Sequence, residues 1–188
     1  MRLTGGGARG RRLKVPRGSL VRPTADRVRE ALFDILGARV SGARFLDVYA
    51  GTGAVGCEAL SRGAGRVVFL ERDRRALALI EENLHVGLWS GAFEIVAGDA
   101  RRSLERLGQG SQRFDIVFLD PPYDDVGLQA VMTLAVRLLA GGGALVVEHR
   151  SSRAIEPRSD DVPLTVRSYR YGDTTLTVGR AAPDVRRA

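Results

Sequence analysis

Cysteine is almost absent from this sequence: Cys57 is the only one in 188 residues, so no disulfide can form within the chain. A lone thiol fits a reducing compartment, and the expected location is the cytoplasm. Histidine is scarce too. His85 and His149 are the only two, and neither has a partner at the spacing of a zinc site or a catalytic triad. No metal is therefore expected. No apolar run approaches the roughly 18 residues of a membrane span. The N-terminal arginines are not followed by the apolar stretch of a secretory signal, so no membrane partner is expected. The first 25 residues also lack any acidic side chain.

What is present in that acid-free segment is positive charge. Arg2, Arg9, Arg11, Arg12, Lys14, Arg17 and Arg22 lie there, out of 29 basic groups in the chain, so the other 163 residues carry 22 basic and 22 acidic groups and are neutral. The whole excess of +7 sits at one end. A basic segment on a neutral body is the footprint of a polyanion binder. Arg9, Arg11, Arg12, Lys14, Arg17 and Arg22 are the candidate RNA contacts. Gly5, Gly6, Gly7 and Gly10 interleave with the arginines and suggest a flexible backbone able to follow phosphates. Leu13 and Val15 could form a short edge strand.

At 44% hydrophobic and 27% charged residues, the remainder reads as one globular domain. Thr24 is placed as a helix N-cap, with Asp26 in the first turn. Val28, Ala31, Leu32, Ile35 and Leu36 form the apolar face of that helix, Arg27 and Arg29 lie off it, and Gly37 stops it. From Arg44 onward apolar strands alternate with helices. Strands are expected over 45–49, 66–71, 93–96, 114–120 and 144–148. Helices are expected to about 62, then over 73–86, 101–107 and 126–139, with the glycines at 141–143 ending the last. Residues 164–170 and 174–180 flank a Gly172-Asp173 turn and read as an antiparallel hairpin. The fold class is α/β: a Rossmann-like, seven-stranded, mainly parallel sheet with a C-terminal antiparallel hairpin and helices on both faces. The division is a basic arm or short hairpin over 1–23, one domain over 24–180, and a flexible tail over 181–188.

Gly51, Gly53 and Gly56 follow the first strand in a nucleoside-binding pattern, and Glu71 lies twenty residues after Gly51. A nicotinamide dinucleotide and S-adenosylmethionine both fit that loop, with Glu71 on the ribose. Asp47, at the end of the first strand, favours the second. Its carboxylate would repel a pyrophosphate and attract the ammonium of a methionine; it could also cap the loop's own N–H groups. Asp99 and Ala100 can reach an adenine amine, and Asp99 can equally cap the following helix.

The most specific stretch is Asp120-Pro121-Pro122-Tyr123, where two prolines force the chain out of the sheet. An aromatic amine is a poor nucleophile because its lone pair is delocalised. Asp120 and the Pro121 carbonyl, accepting its two N–H groups, localise that lone pair, and Tyr123 stacks on the base. Methylation of a planar amine is the expected chemistry, with in-line positioning in place of a metal. Asp120, Pro121, Pro122 and Tyr123 are the candidate catalytic group. Glu148 ends the fifth strand near enough to matter, and plain solvation is the alternative for it. Cys57 and Trp89 read as packing residues.

Five blocks carry a resemblance: Gly6-Gly-Ala-Arg-Gly-Arg-Arg-Leu13, Arg22-Pro-Thr-Ala-Asp-Arg-Val-Arg-Glu30, Leu46-Asp-Val-Tyr-Ala-Gly-Thr-Gly53, Glu58-Ala-Leu-Ser-Arg-Gly-Ala64 and residues 114–123. Together the chain resembles the RsmD family, bacterial methyltransferases that modify the exocyclic 2-amino group of a guanine in 16S ribosomal RNA. The resemblance implies a class I methyltransferase domain using S-adenosylmethionine, held by Thr24, Asp47, Ala50, Gly51, Gly53, Glu71, Arg72, Asp99 and Ala100. It implies a target guanine at Asp120–Tyr123 and a partly assembled small subunit as substrate, with the enzyme a monomer. A DNA adenine-N6 methyltransferase and a non-catalytic RNA-binding assembly factor on the same fold are the alternatives.

Overall fold

The computed structural model describes residues 1–16, 23–87, 89, 91–122 and 126–183. Its frame is one seven-stranded sheet. The strands are β1 (Arg44–Val48), β2 (Arg66–Glu71), β3 (Phe93–Ala97), β4 (Phe114–Leu119), β5 (Leu139–Arg150), β6 (Leu164–Tyr171) and β7 (Thr174–Ala181), in the order β3-β2-β1-β4-β5-β7-β6. The first five are parallel, and β7 runs antiparallel to both β5 and β6. The expected architecture is the observed one.

Alternation along the strands divides the core between the two faces. Phe45, Val67, Phe69, Ile116 and Phe118 point to the layer of α1 (Pro23–Leu36), α2 (Ala54–Ser61) and α3 (Arg74–Leu84). Leu46, Val68, Leu70, Val117 and Leu119 point to α4 (Ala100–Gly108) and α5 (Leu128–Arg137). Because both faces are covered, the strands are continuous apolar runs and the polar chemistry is left to their ends. Cys57 is fully buried, and burial raises its thiol pKa, so it is the inert core residue the sequence suggests.

Two local expectations need correction. Helix α1 already includes Pro23, so Thr24 lies within its first turn instead of preceding it; proline suits that position because the first N–H groups of a helix have no partner. The glycines at 141–143 do not merely end a helix. Helix α5 stops at Arg137, and the glycines lie inside β5, where the register with β4 shifts. A Cβ on Gly143 would sit 2.9 Å from the Ala140 oxygen and 3.1 Å from the Phe114 oxygen, so the irregular pairing has room only for glycine. Arg29, which lies off the apolar face of α1, is nevertheless 4% exposed and donates to the Arg2 carbonyl, anchoring the N-terminus.

That N-terminus is the largest departure. Residues 1–16 form a compact loop, closed by an antiparallel bridge between Arg2 and Arg12 and packed through buried Leu3, Ala8 and Leu13. The fully buried Glu58 carboxylate on α2 accepts from Thr4 N at 2.8 Å, Thr4 Oγ1 at 2.8 Å, Gly5 N at 2.7 Å and Arg62 Nε at 2.8 Å. Arg29 lies 3.7 Å from the same carboxylate and donates to the Arg2 carbonyl at 2.7 Å. Gly6 (φ 72°) passes so close to α2 that a Cβ there would lie 1.7 Å from the Ser61 oxygen. The glycines serve a tight, fixed path across a helix end, where the sequence suggests a loose one.

Candidate active site

The strand order reverses between β1 and β4, with β2 and β3 on one side and β5 on the other. In open α/β sheets the crevice at such a reversal, beyond the C-terminal ends of the strands, is where ligands bind. A cleft of about 780 Å³ lies there, lined by Tyr49, Leu70, Glu71, Arg72, Asp73, Gly98, Asp99, Ala100, Asp120, Pro121, Pro122 and Val126. Seven of the residues singled out in the sequence are thus brought to one surface: Glu71, Arg72, Asp99, Ala100, Asp120 and the proline pair that follows it.

Each carboxylate has an internal task as well as a face to the cleft. Glu71 Oε2 accepts Gly51 N at 2.8 Å, and Oε1 accepts Arg72 N and Asp73 N, both at 2.8 Å. About three of its four acceptor positions are therefore used in fixing the glycine loop to the end of β2. Asp99 caps α4, accepting Arg102 N on Oδ1 at 3.1 Å. The capping role and the cleft position coexist. Tyr49 follows β1 in the left-handed region (φ 63°), a conformation costing a tyrosine on the order of 1 kcal/mol, and this turn puts it in the cleft wall. Its position between a strand end and the glycine loop was the available signal, and the sequence reading left it out of the site.

Asp47 is elsewhere. It is 1% exposed and is not part of the cleft lining; its Oδ2 accepts Gly56 N at 2.8 Å, in the first turn of α2. It is the cap of the glycine-loop helix, supplied from the neighbouring strand. Burial raises its pKa; the Gly56 N–H works the other way, and the charges of Asp120 and Glu71 add to the rise. Ala50, Gly51 and Gly53 likewise sit behind the lining, forming the loop that Glu71 holds.

On the other side of the crevice, Asp120 follows β4 and donates its N–H to Val48 O at 3.4 Å. Its side chain reaches solvent through the open cleft, yet the protein packed around it displaces enough water to raise its pKa to about 6. Glu148 near the end of β5 is raised further, to about 8, first by burial and then by the charge of Asp120. Neither side chain is hydrogen-bonded or ion-paired to a described residue. A second cavity of about 440 Å³, lined by Pro121, Pro122, Leu128, Glu148, His149, Arg150, Ser152, Arg153 and Ile155, opens on the far side of the two prolines. Tyr123, Arg17, Arg22 and the side chain of Thr24 lie outside the described residues.

The site is thus acidic: the charges of Asp120 and Glu71 both act on Asp47 buried behind the crevice, and that of Asp120 acts on Glu148. A ligand with positive charge relieves that repulsion, and a pyrophosphate would add to it. Nucleoside walls, a cation-seeking centre and an acceptor group beside two prolines fit the methionine, ribose and adenine parts of S-adenosylmethionine. Among the described residues, no group of three or more His, Cys, Asp or Glu side chains could hold a metal ion.

At the basic loop the cations divide. Arg9 and Arg12 are exposed with no partner among the described residues. Arg11 donates to the Val86 carbonyl, and Lys14 pairs with Glu82 at 2.6 Å. Behind Lys14, buried Asn83 on α3 accepts Lys14 N at 2.6 Å and donates to Lys14 O at 3.1 Å and Thr52 O at 2.9 Å. No sequence periodicity marks Asn83 or Glu58 as the side chains that seat this loop.

Fold and cleft together define a class I methyltransferase that uses S-adenosylmethionine. The family described as "Conserved hypothetical protein 95" matches residues 1–180, and the chain belongs to it; this is the RsmD family of ribosomal RNA methyltransferases. It is 34% identical over 180 residues to the "Putative rRNA methyltransferase YlbH" of Bacillus subtilis, covering 95% of this chain and 97% of the relative. It is 38% identical over 148 residues to the "Ribosomal RNA small subunit methyltransferase D" of Escherichia coli, covering 79% and 71%. Among solved structures, the "Putative methyltransferase yhhF" of Escherichia coli superposes with a TM-score of 0.82 at 32% identity, covering 98% of this chain and 99% of that one.

Proposed function

We propose that this protein transfers a methyl group from S-adenosylmethionine to the exocyclic 2-amino group of a guanine in small-subunit ribosomal RNA, within a partly assembled subunit. The observation that carries the reading is the Asp120 carboxylate, without a hydrogen-bond or ion-pair partner among the described residues and set at the rim of the cofactor cleft where Pro121 and Pro122 form the wall between two cavities. The small-subunit assignment rests on the Escherichia coli relative's name.

The cofactor, when bound, supplies an electrophilic methyl on a sulfonium. Glu71 holds the ribose, Asp99 and Ala100 border the adenine, and the buried charge of Asp47 favours the ammonium through the glycine loop. Asp120 and the Pro121 carbonyl accept the two N–H groups of the target amine, turning its lone pair towards the methyl. After transfer the amine carries one proton too many. Asp120, with a pKa of about 6, is placed to take it. Tyr123 stacks on the base. Arg9 and Arg12 contact phosphates, with Arg11, Lys14, Arg17 and Arg22 completing the basic surface. The enzyme works as a monomer in the cytoplasm.

The test is incubation of the purified protein and labelled S-adenosylmethionine with small subunits from cells lacking the modification. One guanine should acquire label at N2. Asp120→Ala should abolish transfer while cofactor binding persists. Absence of transfer to any guanine would sink the assignment.

A further inference from the structure

The Asp120-Pro-Pro wall explains why an amine is methylated and leaves open why it should be that of guanine. Adenine also presents an exocyclic amine with two N–H groups. The difference is in the neighbouring ring atom. Beside the amine, guanine has N1–H, a donor, whereas adenine has the bare N1, an acceptor.

The cavity behind the prolines supplies a reader for that difference. Val147 of β5 pairs with Leu119, the last residue of β4, so Glu148 and Asp120 each follow that last pair and come near enough for the charge of Asp120 to act on Glu148. Their charges interact, and neither makes a hydrogen bond or ion pair with a described residue. Two carboxylates near one another at the proline wall call for a ligand with two adjacent donors. The N2 amine and N1–H of guanine are such a pair. An adenine amine seated on Asp120 would aim a lone pair at Glu148. His149 does not compete, because its ring is engaged with Thr177 Oγ1 at 2.8 Å and the Arg150 carbonyl at 2.9 Å. The other charged groups facing this cavity are Arg150 and Arg153, and the surroundings together leave Glu148 raised to about 8.

We propose that Glu148 is a specificity-determining residue: it accepts the N1–H of the target base while Asp120 holds the N2 amine, and so makes the cavity bounded by Pro121, Pro122 and Leu128 a guanine pocket. The inference rests on the guanine-N2 reading above.

The test uses the target RNA with guanine or 2-aminopurine at the modified position. 2-Aminopurine keeps the reacting amine and replaces N1–H by a lone pair. The assay is run at pH 8, where a substantial fraction of Glu148 is ionised and guanine still carries its N1–H. The unmodified enzyme should prefer guanine in kcat/KM by about 10- to 100-fold, the range for a hydrogen bond to a charged group. Glu148→Ala should bring the ratio near unity, chiefly by slowing transfer to guanine. Glu148→Gln, nearly isosteric, guards against misfolding. Its amide can turn and donate to the N1 lone pair, so its ratio must fall below that of the unmodified enzyme. Equal use of both bases by the unmodified enzyme, or an unchanged ratio in both variants, overturns the role of Glu148 and leaves guanine methylation standing. No transfer to either base overturns the parent reading, and this inference with it.

Discussion

Replacing Glu58 by alanine probes the least expected part of the molecule. Its carboxylate is fully buried and accepts four hydrogen bonds, two from backbone N–H groups, one from the Thr4 hydroxyl and one from Arg62. The truncation leaves those donors without acceptors and takes a counter-charge from Arg29, itself only 4% exposed. Breaking a buried pair from one side costs about 4 kcal/mol. For a chain of this length that corresponds to a fall in Tm of about 8 to 16 °C. The loss is not spread evenly, because every released donor except Arg62 belongs to the N-terminal loop. Trypsin should therefore cut at Arg9, Arg11 and Arg12 much faster in Glu58→Ala than in the unmodified protein, at temperatures where the sheet remains folded. Thermal melting followed by circular dichroism and a timed digest with mass spectrometry measure the two effects. Glu58→Gln keeps one acceptor oxygen and should fall between. A melt within about 2 °C of the unmodified protein, less than about 1 kcal/mol, together with an unchanged digest, would refute the idea that Glu58 locks the loop.

Two further outcomes follow from the charges. Asp120 accepts from an amine only as a carboxylate. With its pKa raised to about 6, kcat/KM for methyl transfer should fall about tenfold per unit as pH drops below 6; a flat profile between pH 5 and 7 counts against Asp120 as the acceptor. Changing Arg9 and Arg12 to glutamine should reduce the slope of log affinity for RNA against log salt by about 1.4, since each phosphate contact on a single strand contributes about 0.7. An unchanged slope in filter-binding titrations would remove these arginines from the interface.

How much of this was legible in the sequence depends on the reach of the interactions. The five parallel strands and the final hairpin could be read because each is a local apolar run between turn residues. The cleft was legible for the same reason: Glu71, Asp99 and Asp120 all sit where a strand stops. Misreadings arose where a distant partner decides. The glycines at 141–143 resemble a helix stop, yet their place in β5 is set by β4 oxygens far away in the chain. Arg29 lies off the apolar periodicity of α1 and is nevertheless buried, because Glu58 and the Arg2 carbonyl meet it. The glycine-rich start looks loose until the surface of α2 is placed beneath it. Asp47 had two compatible local readings, and the capping one is seen in its bond from Gly56 N, nine residues on.

Asn83 gives the molecule a mechanical property. A single buried amide is tied to the backbone of Lys14 on one side and of Thr52 on the other. The segment carrying Arg9 and Arg12 and the loop that frames the methyl donor are thereby fixed to one strut. The protein acts as a caliper with a set gap. On the proposed function, an RNA strand gripped at the arginines would offer the cleft only the nucleotide one fixed span away, so the fold itself would measure out which base is reached before any base edge is read.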